Sequence, residues 1–294
     1  MELPPLQHAD VDGPIAYREW EGDPGTTFLL VHGLGASHLT WVQVAPSLAG
    51  LGRVIAADLP GFGLSPIGER RAGLMDHRRT VSRLIEKLGS GRVILVGSSM
   101  GGAISLLQAA VEPSSVAGIV LTNSVFPWRW HGFPHPLVVG AFATYATPWL
   151  GERFVDWRLR RLEPEDTVRM SLSVLAADAE TIPDEVVHEL VELTRSRREL
   201  PETARTFLES GRSMLRLGRH PATARRALDN VTCPVLMLHG RRDRLVPVAF
   251  AEAELAMHRT WRGRFFSDVG HIAQMETPGP WVAEVADWYA ATFG

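Results

Sequence analysis

Apolar and polar positions along the chain follow two rhythms. Short unbroken apolar runs at Phe28–Val31, Val54–Ala57, Val93–Val96, Gly118–Thr122 and Val235–Leu238 alternate with amphipathic stretches of helix length at residues 72–88, 100–111, 247–258 and 279–291. A run without polar alternation predicts a strand covered on both faces, and such strands alternating with helices predict a mostly parallel sheet with crossover helices. Arg264–Ser267 predicts a sixth strand, and Ile15–Trp20, which does alternate, predicts an antiparallel strand at the edge of the sheet.

The strand rhythm stops between Ser124 and about Ala227. Helical periodicity replaces it, punctuated by Pro134, Pro136, Pro148, Pro164, Pro183 and Pro201. The expected organisation is therefore a core of residues 1–123 and 228–294 with a helical insertion of residues 124–227 above one edge of the sheet. From Gly132 to Gly151 the insertion carries no Asp, Glu, Lys or Arg. A bilayer span needs about 20 apolar residues, but Pro134, Pro136, Pro148 and His135 interrupt this one, so it reads as a helix packed on the core or a face touching lipid at an interface.

Composition narrows the classes. The 294 residues are 45% hydrophobic and 21% charged, as in a globular chain with a large core. Formal net charge is −3, and 29 of the 30 cations are Arg, with Lys87 the one lysine; no basic footprint recommends nucleic acid. Cys233 is the single cysteine and sits at the approach to a strand, which suits a reduced compartment. Residues 1–20 include Glu2, Asp10, Asp12, Arg18 and Glu19 and no apolar signal region, so a cytoplasmic location is expected. His131 and His135 are spaced like a helical pair, but Pro134 intervenes and no Glu follows His131, so no metal is expected.

The chemistry lies in the loops that follow the strands. Gly97-Ser98-Ser99-Met100-Gly101-Gly102 joins the strand ending at Val96 to a helical stretch, which is G-x-S-x-G in strand-turn-helix context. A nucleophilic Ser on so tight a turn needs small residues two before and two after. Ser99 has them, whereas Ser98 would be flanked by Val96 and Met100. His32-Gly33-Leu34-Gly35 follows the strand Phe28–Val31, so the backbone N–H groups of Leu34 and Met100 are candidates for an oxyanion hole. Asp243, in Gly240-Arg-Arg-Asp-Arg-Leu-Val-Pro247, follows Val235–Leu238 and is either the triad acid or a cap for the next helix. His271 follows Gly270 behind the last strand, which gives the chain order Ser, Asp, His. Asp58-Leu-Pro-Gly-Phe-Gly-Leu-Ser65 reads as a shaped turn at the same sheet edge, with a scaffolding role.

H-G-x-G, D-x-P-G-x-G-x-S, G-x-S-x-G-G, G-x-x-D-x-x-V-P and G-H in this order over nearly the whole chain resemble the α/β-hydrolase superfamily. The resemblance implies a mostly parallel eight-stranded sheet flanked by helices, a helical lid between strands six and seven, and acyl-enzyme chemistry on Ser99, His271 and Asp243 with Leu34 and Met100 as oxyanion donors. No cofactor is implied. Ser at 99 departs from haloalkane dehalogenases and epoxide hydrolases, which place Asp there. Pro-Gly-Phe-Gly-Leu-Ser and Gly-His-Ile-Ala-Gln-Met-Glu are similar to carbon–carbon hydrolases of ring-fission products, but His-Gly-Leu-Gly-Ala lacks their Gly-Pro-Gly. Gly-Ser-Ser-Met-Gly-Gly is also similar to monoacylglycerol lipases and cofactor-free perhydrolases. A carboxylesterase or lipase is the first expectation, a carbon–carbon hydrolase or perhydrolase the next, and a small-molecule receptor on the same fold the reading outside enzymes. Aromatics crowd the first third of the insertion, and Phe126, Trp128, Trp130, Phe142 and Tyr145 are candidate walls for an apolar acyl or aromatic group. The expected partner is thus a small apolar ester, with lipid contact through the lid left open. The oligomeric state is not legible.

Overall fold

The apolar runs build one eight-stranded sheet. The computed structural model describes residues 3–126, 135–198, 200–218, 225 and 228–294. Its strands are β1 (Gln7–Asp10), β2 (Pro14–Trp20), β3 (Thr26–Val31), β4 (Arg53–Ala57), β5 (Arg92–Ser98), β6 (Gly118–Thr122), β7 (Val235–Gly240) and β8 (Arg262–Phe266). They lie side by side in the order β1-β2-β4-β3-β5-β6-β7-β8. The pairs β1/β2 and β2/β4 are antiparallel, and all later pairs are parallel.

The period of two along each strand divides the core. Leu29, Val31, Leu95, Ile119, Leu121 and Met237 face one side, against Leu74, Val81 and Leu84 of helix α2 (Leu74–Leu88) and Ile104 and Leu107 of α3 (Met100–Val111). Phe28, Leu30, Ile94, Val96, Val120, Leu236 and Leu238 face the other, against Trp41, against Ala45 and Leu48 of the short helix α1 (Ala45–Leu48), and against a stripe of Trp281, Val285 and Trp288 on the helix Pro278–Phe293. Each central strand is buried on both faces, which is why its sequence is apolar throughout.

Two strand expectations need correction. Ile15–Trp20 is antiparallel but not at the edge, because β1 pairs outside it through Gln7↔Tyr17 and Ala9↔Ile15. Only Ala9 of β1 is buried, so this strand left no apolar pattern to read. The last strand begins two residues earlier than expected, at Arg262, since its pattern is that of an exposed edge with alternating partial burial.

Between β6 and β7 every described element is helical: α4 (Pro136–Ala146), α5 (Leu150–Arg161), α6 (Pro164–Leu175), a short turn at Ala179–Thr181, α7 (Asp184–Arg197) and α8 (Glu202–Gly218). Val168 and Leu172 of α6 and Val186 and Val191 of α7 pack on Leu39, Val42, Ile272 and Met275 of the core, which seats this pair over the sheet. Tyr145, Val155, Ala204 and Leu208 tie α4, α5 and α8 together. Among the described residues no helix is long and apolar enough to cross a membrane.

Candidate active site

The carboxyl ends of β5, β6, β7 and β8 are neighbours, so the loops that follow them meet at one edge of the sheet, where ligands of parallel α/β sheets gather. Ser99 sits between β5 and α3 with φ 52° and ψ −115°, a strained conformation for a residue with a side chain. Such a residue costs on the order of 1–3 kcal/mol and persists only where its surroundings over-determine it. Here they do: Ser99 N–H donates to Thr122 O (3.0 Å), and Ser99 O accepts from Gly102 N–H (3.1 Å) and Val125 N–H (3.2 Å). The flanking glycines are required by close backbone approach. A Cβ on Gly97 would lie 2.5 Å from Gly101 O, and one on Gly101 would lie 2.0 Å from Val31 O. Ser98, by contrast, is buried and accepts from Gln274 Nε2 at 3.5 Å, so it points into the protein.

Asp243 and His271 come together across β7 and β8. His271 Nδ1–H donates to Asp243 Oδ2 at 2.7 Å, with both side chains buried. The carboxylate is saturated with donors. Its Oδ1 accepts from Leu245 N–H (2.8 Å) and Val246 N–H (2.9 Å), and its Oδ2 also accepts from Asn123 Nδ2 (2.8 Å), with His239 Nε2 at 3.3 Å. Burial alone would raise the Asp243 pKa, but His271 and His239 beside it and the hydrogen bonds from both outweigh burial and hold the acid far below the usual carboxylate range. Asp243 Oδ1 thus closes the turn ahead of the helix Val248–Met257 while Oδ2 meets His271; it does not cap that helix, whose N-cap is Pro247. The His271 loop is clamped as well: His271 N–H donates to Leu175 O of α6 (2.6 Å), and Glu276 accepts from Gly270 N–H (2.8 Å) and Ala177 N–H (2.7 Å). Among the described residues no hydrogen bond joins Ser99 Oγ to His271, a contact that in such sites commonly tightens on substrate binding.

The loop carrying Leu34 lies against the serine, since a Cβ on Gly33 would be 3.1 Å from Ser99 Cβ and 3.7 Å from its Oγ. Met100 is the first residue of α3, where backbone N–H groups have no partner within the helix and the helix dipole favours negative charge. The loop is braced from behind. Burial pushes the His32 pKa down, and the neutral ring donates through Nδ1 to Gly33 O (2.8 Å) and accepts Leu59 N–H at Nε2 (3.0 Å). Asp58 is fully buried, which alone would raise its pKa. Its bonds from His38 Nδ1 (2.9 Å), His38 N–H (2.6 Å) and Leu64 N–H (2.7 Å) accompany a net lowering, for which the His38 contact is the chief cause. Arg197 of α7 donates to Gly63 O (2.6 Å) and to Gly61 O, joining the helical insertion to this scaffold.

Sequence reasoning overlooked three members of the site. Asn123, directly after β6 with φ 48°, donates to Asp243 Oδ2 and to Gly270 O (2.9 Å), tying the Asp243 loop to the His271 loop. His239 reads as one more residue of a strand. Glu276 was noticed only within the Gly-His-Ile-Ala-Gln-Met-Glu string. The one available signal was the polar triplet Thr122-Asn123-Ser124 at the end of an apolar strand.

Of the candidate substrate walls, Phe126 is buried in the main core, Phe142 is half-buried between that core and the insertion, and Tyr145 is buried among α4, α5 and α8. Trp128 and Trp130 lie outside the described residues, as does His131. The described residues contain no group of His, Cys, Asp or Glu arranged to hold a metal. Cys233 is half-buried, and burial pushes its thiol up to about 11.

Comparison with known proteins agrees with this architecture. A model of the alpha/beta hydrolase fold matches residues 26–278. The chain is 29% identical, over 93% of its length, to the dihydrolipoyllysine-residue acetyltransferase component of an acetoin cleaving system from Pseudomonas putida, of which it spans 66%. A 2-hydroxy-6-oxo-2,4-heptadienoate hydrolase, also from Pseudomonas putida, is 28% identical over 91% of this chain and 90% of its own. The crystal structure of a haloalkane dehalogenase from Bradyrhizobium elkani superposes with a TM-score of 0.81 at 25% identity, covering 98% of each chain. The family match runs from the first residue of β3 to the start of the C-terminal helix, and so through every loop described above: the chain belongs to the α/β-hydrolase family.

Proposed function

We propose that this protein is a serine hydrolase that cleaves a carboxylic ester bearing an apolar acyl or aromatic group. The observation that carries the reading is the 2.7 Å bond from His271 Nδ1–H to a buried, ionised Asp243, at the same sheet edge as a Ser99 held in the left-handed conformation of a nucleophile elbow. The Nδ1 proton is committed to Asp243, which leaves the Nε2 lone pair for the serine.

In this mechanism Ser99 Oγ bonds the carbonyl carbon while His271 Nε2 takes its proton. The carbonyl π pair moves to oxygen, where the N–H groups of Leu34 and Met100 receive it; one such donor is worth about 3–4 kcal/mol of barrier. As the tetrahedral adduct collapses, His271 returns the proton to the leaving alkoxide, and an acyl group stays on Ser99. Water then gives its proton to His271 and attacks the acyl carbon, the acid departs, and Ser99 recovers its proton. Asp243 stays ionised throughout and steadies the imidazolium. Residues 124–227 act as a lid over this edge, with Phe126 and Phe142 as apolar walls, and no cofactor takes part.

A second reading, hydrolysis of a carbon–carbon bond in a ring-fission product, draws on the relative that acts on 2-hydroxy-6-oxo-2,4-heptadienoate. Steady-state rates on a chain-length series of p-nitrophenyl esters and on that dienoic acid separate the two. The ester reading expects kcat/KM for the best ester to exceed that for the dienoic acid by at least about 100-fold, and the reverse ranking would overturn it.

A further inference from the structure

The helical insertion carries an outward face that its own packing leaves uncovered. Helix α5 is two-sided: Val155 is buried against α4 and α8, while Trp149 at its start and Leu150, Phe154 and Trp157 along it are exposed, Trp149 by 69% and Trp157 by 53%. Residues 150, 154 and 157 follow the four- and three-residue spacing of one helix face, and the rings of Phe154 and Trp157 stack at 6.2 Å. Monomeric proteins seldom leave contiguous large aromatics in water unless a partner covers them.

Charge identifies the partner. The chain as a whole is net −3, yet this one 12-residue helix holds Arg153, Arg158, Arg160 and Arg161. Arg153, Arg160 and Arg161 are exposed on the aromatic face or at its rim, and Arg153 lies over the Trp149 ring at 4.9 Å. Among the described residues none of these three has a carboxylate partner. Of the nearby acids, Glu152 turns inward to Arg212 (2.7 Å), Glu163 meets Arg198 (3.3 Å) and Glu165 meets Arg195 (2.6 Å), which leaves the exposed Asp156 as the one acid of this helix outside an ion pair among the described residues, against three exposed arginines. Exposed Trp and Phe interleaved with unpaired Arg match an interface that is apolar below and anionic above, where the rings enter the boundary of the acyl chains and the guanidinium groups meet phosphates. A second copy of the chain fits poorly, because a twofold contact centred on Trp157 would bring each arginine towards its own equivalent.

We propose that the α5 face docks the protein onto an anionic phospholipid surface. This extends the lipid contact left open by the sequence, and it moves that contact from the charge-free stretch 132–151 to the aromatic and arginine face beginning at Trp149. Docking holds the insertion, and the sheet edge beneath it, at the membrane boundary, and it does not depend on the reaction assigned to Ser99.

The test is sedimentation of the full chain with phosphatidylglycerol vesicles and with phosphatidylcholine vesicles, at low and high salt. The expected result is salt-sensitive binding to phosphatidylglycerol and little to phosphatidylcholine. The Arg153→Gln/Arg160→Gln/Arg161→Gln variant should bind about 100-fold more weakly, at about fivefold per arginine. Trp157→Glu should lose binding while its circular dichroism melt stays that of the parent. Equal binding to both vesicles, no binding to either, or full binding by the triple variant would overturn the proposal. So would a dimer in sedimentation velocity that Trp157→Glu dissociates, since the face would then belong to a second copy. A Ser99→Ala protein should bind vesicles as the parent does, so a protein that docks but hydrolyses nothing refutes the esterase reading alone.

Discussion

Replacing Asp243 by Asn changes one atom and should nearly abolish turnover. Four N–H groups converge on the carboxylate within 2.9 Å, two on each oxygen. An amide offers only one accepting oxygen, so whichever way it turns, its NH2 group faces two donors. If the NH2 lies on the Oδ2 side, His271 must move its proton to Nε2 to accept the new donor, and the nitrogen that should take the serine proton becomes a donor. If it lies on the Oδ1 side, the Leu245 and Val246 amides lose their acceptor at a cost of about 1–3 kcal/mol for each buried unsatisfied group, and the Asp243 loop shifts. The charge that steadies the imidazolium is lost in either orientation. Changing a triad acid to its amide costs on the order of 10⁴ in kcat, or about 5.5 kcal/mol of barrier at about 1.36 kcal/mol per tenfold. The assay is kcat on p-nitrophenyl butyrate, with the folded fraction fixed by thermal melting. A folded Asp243→Asn protein within tenfold of the parent kcat would refute the assignment of Asp243 as the group that orients His271.

Three further outcomes follow from particular contacts. Asn123→Gly keeps a residue that tolerates φ 48° but removes both bridging bonds, to Asp243 and Gly270; kcat per folded molecule should fall about tenfold with KM nearly constant, at about 1.5 kcal/mol for bonds to a charged partner, whereas unchanged kcat would leave Asn123 a structural residue only. Gly101→Ala sets a Cβ 2.0 Å from Val31 O, so urea denaturation should show a loss of at least about 3 kcal/mol, the upper end of overpacking costs, and a loss below 1 kcal/mol would contradict the close approach at the elbow. His77 is buried, and burial lowers its pKa from 6.5 to about 3. Above pH 6.5 it is neutral in both states, and below that the unfolded chain binds a proton that the fold refuses. Its contribution therefore holds at high pH and is lost at about 1.4 kcal/mol per pH unit as pH falls from 6.5 to about 3. His77→Gln should flatten that slope by one proton in denaturant titrations, and an unchanged slope would contradict the assignment.

What the sequence revealed depended on how many residues shared a signal. The central strands were legible because burial on both faces demands an apolar residue at every position. β1 was not, because a four-residue edge strand with only Ala9 buried carries no period. The elbow was legible because backbone contact forces glycine at 97 and 101, and Asp243 and His271 because the loops after successive strands must open at one sheet edge. Asn123, His239 and Glu276 act singly, each through hydrogen bonds to atoms far away in the chain, and a lone polar residue has no spacing to betray it. The aromatics of the insertion could not be sorted from sequence: Tyr145 is buried in helix packing while Trp149 and Trp157 face outward, and composition cannot tell an inward ring from an outward one.

The proposed chemistry stands or falls with Ser99 as the nucleophile. The most direct measurement is the intact mass of the protein after treatment with a fluorophosphonate, followed by peptide mapping. One phosphonyl adduct per molecule is expected, located on Ser99 and absent from Ser99→Ala. A folded wild-type chain that gains no adduct, or one that carries it on Ser98 or elsewhere, would contradict it.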